Sequence, residues 1–366
     1  MDRKLRVAVI FGGKSGEHEV SLMSASSVIE AIPKDKYEVI PVGIAKNGRW
    51  LLGDEAVDLL NGVAPRDDGE KLVVPADSGH GLVEVNLALG QARTEPVDVV
   101  VPILHGTFGE DGTVQGLLEL ADLPYVGAGV AASAVGMDKV LMKAIFRDAG
   151  LPVVEAAFYL RGEWRREPER VLHEIESRFG YPCFVKPANL GSSVGVSKAH
   201  DRAELAAALA LAARYDRKIV VEMAVNAREV ECSVLGNDQP IASVPGEILP
   251  SREFYDYDAK YVDEGSRLII PADLPEWTSK RVQELAVRAF KAVDCAGMAR
   301  VDFFVARDGG DIWVNELNTI PGFTSISMYP KLFAASGIAY PDLLDRLIQL
   351  AIERHQDKHE SATTYK

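Results

Sequence analysis

Two unbroken apolar runs constrain this chain more than any other feature. Leu-Arg-Val-Ala-Val-Ile-Phe at 5–11 is rich in β-branched residues and ends in Gly12-Gly13. Val-Asp-Val-Val-Val-Pro-Ile-Leu at 97–104 shows no polar alternation after Asp98. A strand with one wet face alternates apolar and polar residues. A continuous run implies burial on both faces, which is the condition of a parallel sheet covered by helices. Between the runs a helical pattern spans Val20 to Ala31, and Tyr-Glu-Val-Ile-Pro-Val-Gly-Ile at 37–44 reads as another strand. A short helix is expected around 113–121. Strands alternating with helices predict an α/β class for the first part of the chain. The stretch 62–81, rich in Gly, Pro and Asp, reads as loop and short hairpin.

The spacing of Met137, Val140, Leu141, Ala144 and Ile145 predicts one helix from Met137 to Ala149, stopped by Gly150 and Pro152. A strand (153–159), helix (168–179), strand (181–187), helix (201–214) and strand (218–225) follow. Asp201 with Glu204 looks like an acidic capping box. Two hairpin-like segments lie at 229–248, and a helix over 276–293 has Asp273 as its expected cap. A hairpin (299–317) and a helix (341–354) come last, with a polar tail from His355 expected to fray. The C-terminal part therefore reads as α+β.

Asp and Glu number 54 against 40 Lys and Arg, a formal charge of −14, so no general attraction for nucleic acid or anionic membrane is expected. No stretch reaches the roughly 20 apolar residues of a membrane span, and the first apolar run lacks a signal-peptide cleavage site. The three cysteines, Cys183, Cys232 and Cys295, are widely separated in apolar surroundings. They predict buried, reduced thiols and a cytoplasmic location.

The segment 299–318, Ala-Arg-Val-Asp-Phe-Phe-Val-Ala-Arg-Asp-Gly-Gly-Asp-Ile-Trp-Val-Asn-Glu-Leu-Asn, carries the strongest chemistry. Two strands flank a turn signal. Centred on Gly309, the hairpin pairs Asp302 with Glu316 and Arg300 with Asn318. Residues two apart share a face, so these four cluster. Val301, Phe303, Val305, Trp313 and Leu317 are expected on the opposite, core-facing side. Two carboxylates and an amide oxygen suit a hard cation such as Mg²⁺, and side-by-side carboxylates repel without one. Arg300 could hold an anion or a developing oxyanion.

Other motifs are weaker alone. Gly12-Gly13-Lys14-Ser15-Gly16-Glu17-His18-Glu19 follows the first strand, where backbone N–H groups bind anions. His105-Gly-Thr-Phe-Gly-Glu-Asp-Gly-Thr-Val-Gln-Gly follows a buried strand, the usual ligand edge of an open α/β sheet. Lys186 precedes a Gly/Ser loop with Ser192 and Ser193, a phosphate-binding combination. The polar, aromatic stretch from Phe254 through Lys260 and Tyr261 looks like a lid.

Taken in order, GGKSGEHEVS, HGTFGEDGTVQG, MDK, VKPANLGSSVGVSK, FYDYDAKY, ARVDFF and NELNTIPGFTSISMYP resemble the D-alanine–D-alanine ligase family of the ATP-grasp superfamily over nearly the whole chain. The resemblance implies a Rossmann-like parallel sheet followed by an ATP-grasp fold. It divides the chain into a substrate-binding domain (1–136), a central subdomain (137–219) and a metal-bearing subdomain (220–366). It implies ATP, two Mg²⁺ (or Mn²⁺) ions, room for a monovalent cation, D-alanine as substrate and a homodimer. Lys139, Lys186, Ser192 and Ser193 should meet the phosphates or their covering loop. Glu222, Met223, Ala224 and Val225 should line the adenine, with Phe254, Phe304 and Asn315 around it and Glu229 on the ribose. Asp302, Glu316 and Asn318 should hold the metal. Glu17 should bind the first D-alanine's ammonium near His105, Ser192 and Tyr261. Arg300 and the Gly322 N–H should stabilise an oxyanion, while Ser327, Met328 and Lys260 should hold the second D-alanine.

Competing readings are a depsipeptide ligase adding D-lactate or D-serine, a dinucleotide-dependent oxidoreductase and a non-catalytic ATP-binding regulator. The oxidoreductase leaves the carboxylate hairpin unexplained. The intact Arg300, Asp302, Glu316 and Asn318 argue against the regulator.

Overall fold

The computed structural model describes residues 3–64, 71–75, 81–87, 89–249, 267–307, 310–324 and 326–362. Its first unit contains β1 (Leu5–Gly12), α1 (His18–Ala31), β2 (Tyr37–Ile44), β3 (Trp50–Leu52), α2 (Asp54–Leu60), β4 (Lys71–Pro75), β5 (Leu82–Asn86), β6 (Gln91–Glu95), β7 (Val99–Ile103), α3 (Thr113–Leu120) and α4 (Val130–Met137). β1 runs parallel to β2 on one side and β7 on the other, and β3 closes the edge antiparallel to β2. Val7, Val9 and Phe11 enter one buried cluster and Ala8 and Ile10 another. Both faces of the strand are covered, which explains its unbroken apolar sequence. β4, β5 and β6 form a separate antiparallel sheet within the expected loop region and beyond it.

The second unit holds α5 (Lys139–Asp148), β8 (Ala156–Leu160), α6 (Arg161–Arg166), α7 (Pro168–Phe179), β9 (Cys183–Pro187), β10 (Ser197–Ala199), α8 (Arg202–Tyr215) and β11 (Lys218–Met223). Its four described strands, in the order β10-β9-β11-β8, are all antiparallel. The expected single helix from Met137 is two. Asp138 leaves helical geometry (ψ 99°), and its carboxylate accepts the Val140 and Leu141 N–H groups at 3.0 and 3.3 Å. Met137 ends α4 instead. Only half of the Asp201/Glu204 capping box forms. Asp201 accepts the Glu204 N–H, while Glu204 turns back to His200 rather than to the cap.

The third unit comprises β12 (Ala227–Gly236), β13 (Ile241–Ala242), β14 (Gly246–Leu249), β15 (Arg267–Ile269), α9 (Glu276–Ala292), β16 (Gly297–Ala306), β17 (Ile312–Asn318), α10 (Met328–Ala335) and α11 (Tyr340–His359). Its sheet runs β15-β14-β12-β16-β17, with β13 on β12. The cap of α9 is Pro275, not Asp273, whose carbonyl instead accepts Arg228. The chain does not fray at His355, because α11 continues to His359. Leu343, Leu344, Leu347 and Ile348 of α11 share one cluster with Val7, Val9 and Phe11 of β1, so the last helix locks the first unit to the third.

The hairpin pairs Arg300 with Asn318, Val301 with Leu317 and Asp302 with Glu316, as read from the sequence. A bulge then leaves Asn315 extra, and Phe303 faces Val314. Beyond it the parity of β17 is inverted. Val314 enters the core, and Trp313, expected there, pairs with Phe304 instead.

Candidate active site

The three units enclose a cavity of about 330 Å³. Glu17, His105, Lys139, Lys186, Ser192, Ser193, Glu222, Met223, Ala224, Val225, Glu229, Arg300, Asp302, Phe304, Asn315, Glu316, Asn318, Gly322, Ser327 and Met328 all line it. Phe254, Lys260 and Tyr261 lie outside the described residues.

At one end stands Glu17, just before α1. Its carboxylate accepts the Ser192 hydroxyl, joining the first unit to the loop after β9. Ser192 and Ser193 both take left-handed backbone (φ 50° and 55°). Gly106 also has positive φ (76°), and a Cβ there would stand 2.6 Å from Glu17 Oε2, so the backbone comes closer than any side chain would allow.

His105 lines the cavity but is almost closed to solvent. Its Nδ1 lies 3.1 Å from the Ile320 carbonyl, an acceptor only, so Nδ1 carries the proton and Nε2 accepts from Ser24 Oγ at 3.1 Å. Burial pushes its pKa down, against the pull of Glu17. Ser24 Oγ also receives the Phe323 N–H at 3.4 Å. His105 thus fixes the 320–323 loop, which carries Gly322. A Cβ on Gly322 would meet Ser327 Oγ at 2.7 Å.

At the centre, Arg300 forks onto Asp302, with Nε to Oδ1 and Nη2 to Oδ2 both 2.7 Å. A buried carboxylate that sequence reasoning passed over, Glu231 on β12, lies 3.1 Å from Arg300 Nε. Burial opposes the guanidinium charge, but Asp302 and Glu231 more than restore it and hold its pKa well up. The Asn318 amide reaches Asp302 Oδ2 at 3.1 Å, and Lys139 Nζ stands 3.9 Å from Glu316. Asp302 and Glu316 face each other across the hairpin, a like-charge pair that a divalent cation would relieve. Carboxylate and amide oxygens are the donors a hard cation takes, so the residues fit Mg²⁺.

The other end is a lysine–glutamate–lysine cluster. Lys186 Nζ sits 2.7 Å from one oxygen of Glu222, and Lys143 Nζ 3.1 Å from the other. Burial alone would raise the Glu222 pKa. The two ammonium groups reverse this and bring it to about 2. Lys143, not expected as a site residue, is fully buried and also reaches the Asn315 carbonyl at 3.3 Å, on the bulge. It lies one turn after Lys139, so the Asp138 cap orients both lysines. Glu110 was also overlooked, although it belongs to the Gly-rich motif after β7. It accepts the Gly106 N–H at 2.8 Å, and burial, then repulsion from Glu17, pushes its pKa well up. A local pattern shows a buried charge but not the distant partner it meets. The signal for Lys143 and Glu231 was a charge in an otherwise apolar pattern.

No helix among the described residues is long and apolar enough to cross a membrane. Residues 6–128 match the family model described as the D-Ala D-Ala ligase N-terminus, and residues 145–349 the model of its C-terminus. A D-alanine–D-alanine ligase of Heliobacterium modesticaldum is 52% identical over 362 residues, 98% of each chain. Its counterpart in Acetivibrio thermocellus is 51% identical over 369 residues, again 98% of each. Among solved structures, the D-alanine–D-alanine ligase of Coxiella burnetii aligns with a TM-score of 0.84 at 40% identity, covering 98% of this chain and 96% of that one. The VanG D-Ala:D-Ser ligase of Enterococcus faecalis also gives 0.84 and 40%, covering 95% and 100%. Two matching models, full-length relatives and a cavity that unites the three units lead to one conclusion: the chain belongs to the D-alanine–D-alanine ligase family and has its ATP-grasp fold.

Proposed function

We propose that this cavity carries out ATP-dependent joining of two D-alanine molecules into D-alanyl-D-alanine for peptidoglycan synthesis, with the steps assigned to residues as follows. The observation that carries the assignment is convergence: an ammonium acceptor (Glu17), a guanidinium (Arg300), two lysines (Lys139, Lys186) and the Asp302–Glu316–Asn318 oxygens line one space. Glu17 holds the ammonium of the first D-alanine. The carboxylate of that D-alanine attacks the γ-phosphorus of ATP and ADP leaves, giving D-alanyl phosphate. Lys139 and Lys186 neutralise charge on the phosphates, with Ser192 and Ser193 in the loop above them.

The second D-alanine, held by Ser327, Met328 and Lys260, loses its ammonium proton, and the free amine then attacks the acyl carbon. Arg300 and the Gly322 N–H stabilise the oxyanion, and phosphate leaves as the peptide bond forms. Glu231 keeps Arg300 charged and aimed. Tyr261, outside the described residues, is carried over from the family as a partner of Glu17 and Ser192 at the first D-alanine. Glu222, Met223, Ala224, Val225, Phe254, Phe304 and Asn315 surround the adenine, and Glu229 the ribose.

The family generally uses Mg²⁺, and Asp302, Glu316 and Asn318 would hold it. When bound it supplies charge neutralisation at the phosphoryl oxygens. We assign two divalent ions, Mg²⁺ or Mn²⁺, because the donor set offers more oxygens than one Mg²⁺ that keeps its waters requires. A monovalent cation and a homodimer are carried from the family; Leu117, Leu120 and Val130, exposed on α3 and α4, are apolar surface a dimer would cover. The proposed domain boundaries are 136/137 and 219/220. The second crosses β11, which bonds into the central sheet, so the working boundary falls after Met223.

The test is phosphate release with ATP and Mg²⁺ given D-alanine alone, D-alanine with D-lactate, D-alanine with D-serine, L-alanine or no acceptor. Release with D-alanine alone, with the dipeptide identified by mass spectrometry, supports the assignment. Release that needs D-lactate or D-serine moves the protein to a neighbouring specificity.

A further inference from the structure

Outside the lining of the cavity, three side chains of metal-ligating types converge where the last helix meets the first unit. His355 and His359 are one turn apart on α11 and present their Nε2 atoms to the same oxygen, Asp122 Oδ1, at 3.1 and 2.8 Å. The rings lie side by side, centroids 4.4 Å apart. The three ligand atoms all fall within 4.8 Å of one another. Bonds of about 2.1 Å in a tetrahedral arrangement give ligand–ligand edges of roughly 3.4 Å, and the two Nε2–Oδ1 separations of 3.1 and 2.8 Å lie close to that.

Two features mark the cluster as built. Asp122 follows α3 in left-handed backbone (φ 53°), within a helix-ending turn in which its N–H meets the Glu119 carbonyl at 3.2 Å and the Leu123 N–H the Leu118 carbonyl at 3.1 Å. Glycine is the easy residue at that position, and aspartate holds it under strain. The side chain thus gained is the one that reaches both imidazoles. The surroundings are also pinned without the histidines. Arg354 binds the Gly127 and Tyr125 carbonyls and covers the Tyr125 ring, and Lys358 pairs with Glu119. The pair with Glu119 offsets the Lys358 charge, leaving Asp122 as the anion between the rings. A preorganised donor set loses little freedom when it closes on an ion.

We propose that Asp122, His355 and His359 form a surface site for a borderline divalent transition ion of the zinc class, which clasps α11 to the turn after α3. Two imidazoles and one carboxylate select such an ion over Mg²⁺. Water completes the coordination on the exposed side, where His359 and Asp122 are about half accessible. The ion joins segments more than two hundred residues apart, so binding raises the melting temperature of the folded chain.

Titration of the full-length protein with zinc chloride, followed by calorimetry and thermal melting, tests this. One tight equivalent and an upward melting shift are expected. His359→Gln and Asp122→Asn should each weaken binding about tenfold or more, as loss of a ligand demands. Asp302→Asn, in the cavity, should leave this equivalent in place. Both peripheral variants keep the Arg354 and Lys358 contacts and should melt like the parent without zinc, with unchanged ligase activity. Absence of binding at micromolar zinc overturns the proposal, and so does a bound equivalent that survives both peripheral substitutions.

Discussion

Glu222→Gln isolates the buried lysine–glutamate–lysine cluster. The change keeps the shape of the side chain and removes its charge, so Lys143 and Lys186 face each other without their shared partner. At an effective dielectric near 20, a contact of about 3 Å has roughly 5 kcal/mol of gross attraction. Desolvation consumes much of it, and removing one member of a buried pair costs about 3–5 kcal/mol. The pKa gives a second route. A carboxyl brought from 4.5 to about 2 by folding corresponds to about 3 kcal/mol. Both routes predict a loss of about 3 kcal/mol near pH 7 in urea unfolding. The sign of the pH dependence follows. The folded pKa is depressed, so the contribution is full above 4.5 and is lost as pH falls toward about 2. The gap between parent and variant should therefore be constant from about pH 6 to 7 and narrow below about 4.5. A gap under about 0.5 kcal/mol, within the range of an indifferent surface change, would refute the account of the cluster. So would a gap that does not narrow in acid.

Glu231→Gln should lower kcat by roughly 10- to 100-fold with little change in KM for ATP, because it loosens an oxyanion donor without touching the nucleotide; equal activity in steady-state kinetics would remove Glu231 from the site. Asp138→Ala should cost about 1–2 kcal/mol through the lost helix cap and, since the helix carries Lys139, raise KM for ATP; a variant as stable as the parent by urea unfolding would contradict the capping role. Glu316→Ala should abolish turnover and leave the circular dichroism spectrum intact, and parental turnover would withdraw the metal assignment.

Part of the site was legible because strand geometry is strict. Parity along β16 and β17 places Arg300, Asp302, Glu316 and Asn318 together, and the observed register agrees. The same parity failed at Trp313, because one extra residue at Asn315 inverts everything beyond it. Trp313 and Val314 are both apolar, so nothing in the pattern betrays the slip. At Met137 the apolar repeat continued across a real boundary, and the Asp138 cap was the signal that should have outweighed it. Glu231 and Lys143 escaped for a different reason. Their partners, Arg300 and Glu222, lie 69 and 79 residues away, on other elements. Local patterns carry no record of such encounters.

The three cysteines make the molecule its own reporter. Each is buried: Cys183 lies in the core of the second unit, and Cys232 and Cys295 lie in that of the third. Burial pushes their thiols up to about 11 and about 12, so the folded chain presents almost no thiolate to an alkylating reagent at neutral pH. Labelling must wait until the surrounding core opens. The rate at Cys183 then clocks openings of the central unit, and those at Cys232 and Cys295 openings of the C-terminal one. Added ATP should slow both clocks if the nucleotide bridges the two units, a comparison that needs no engineered probe.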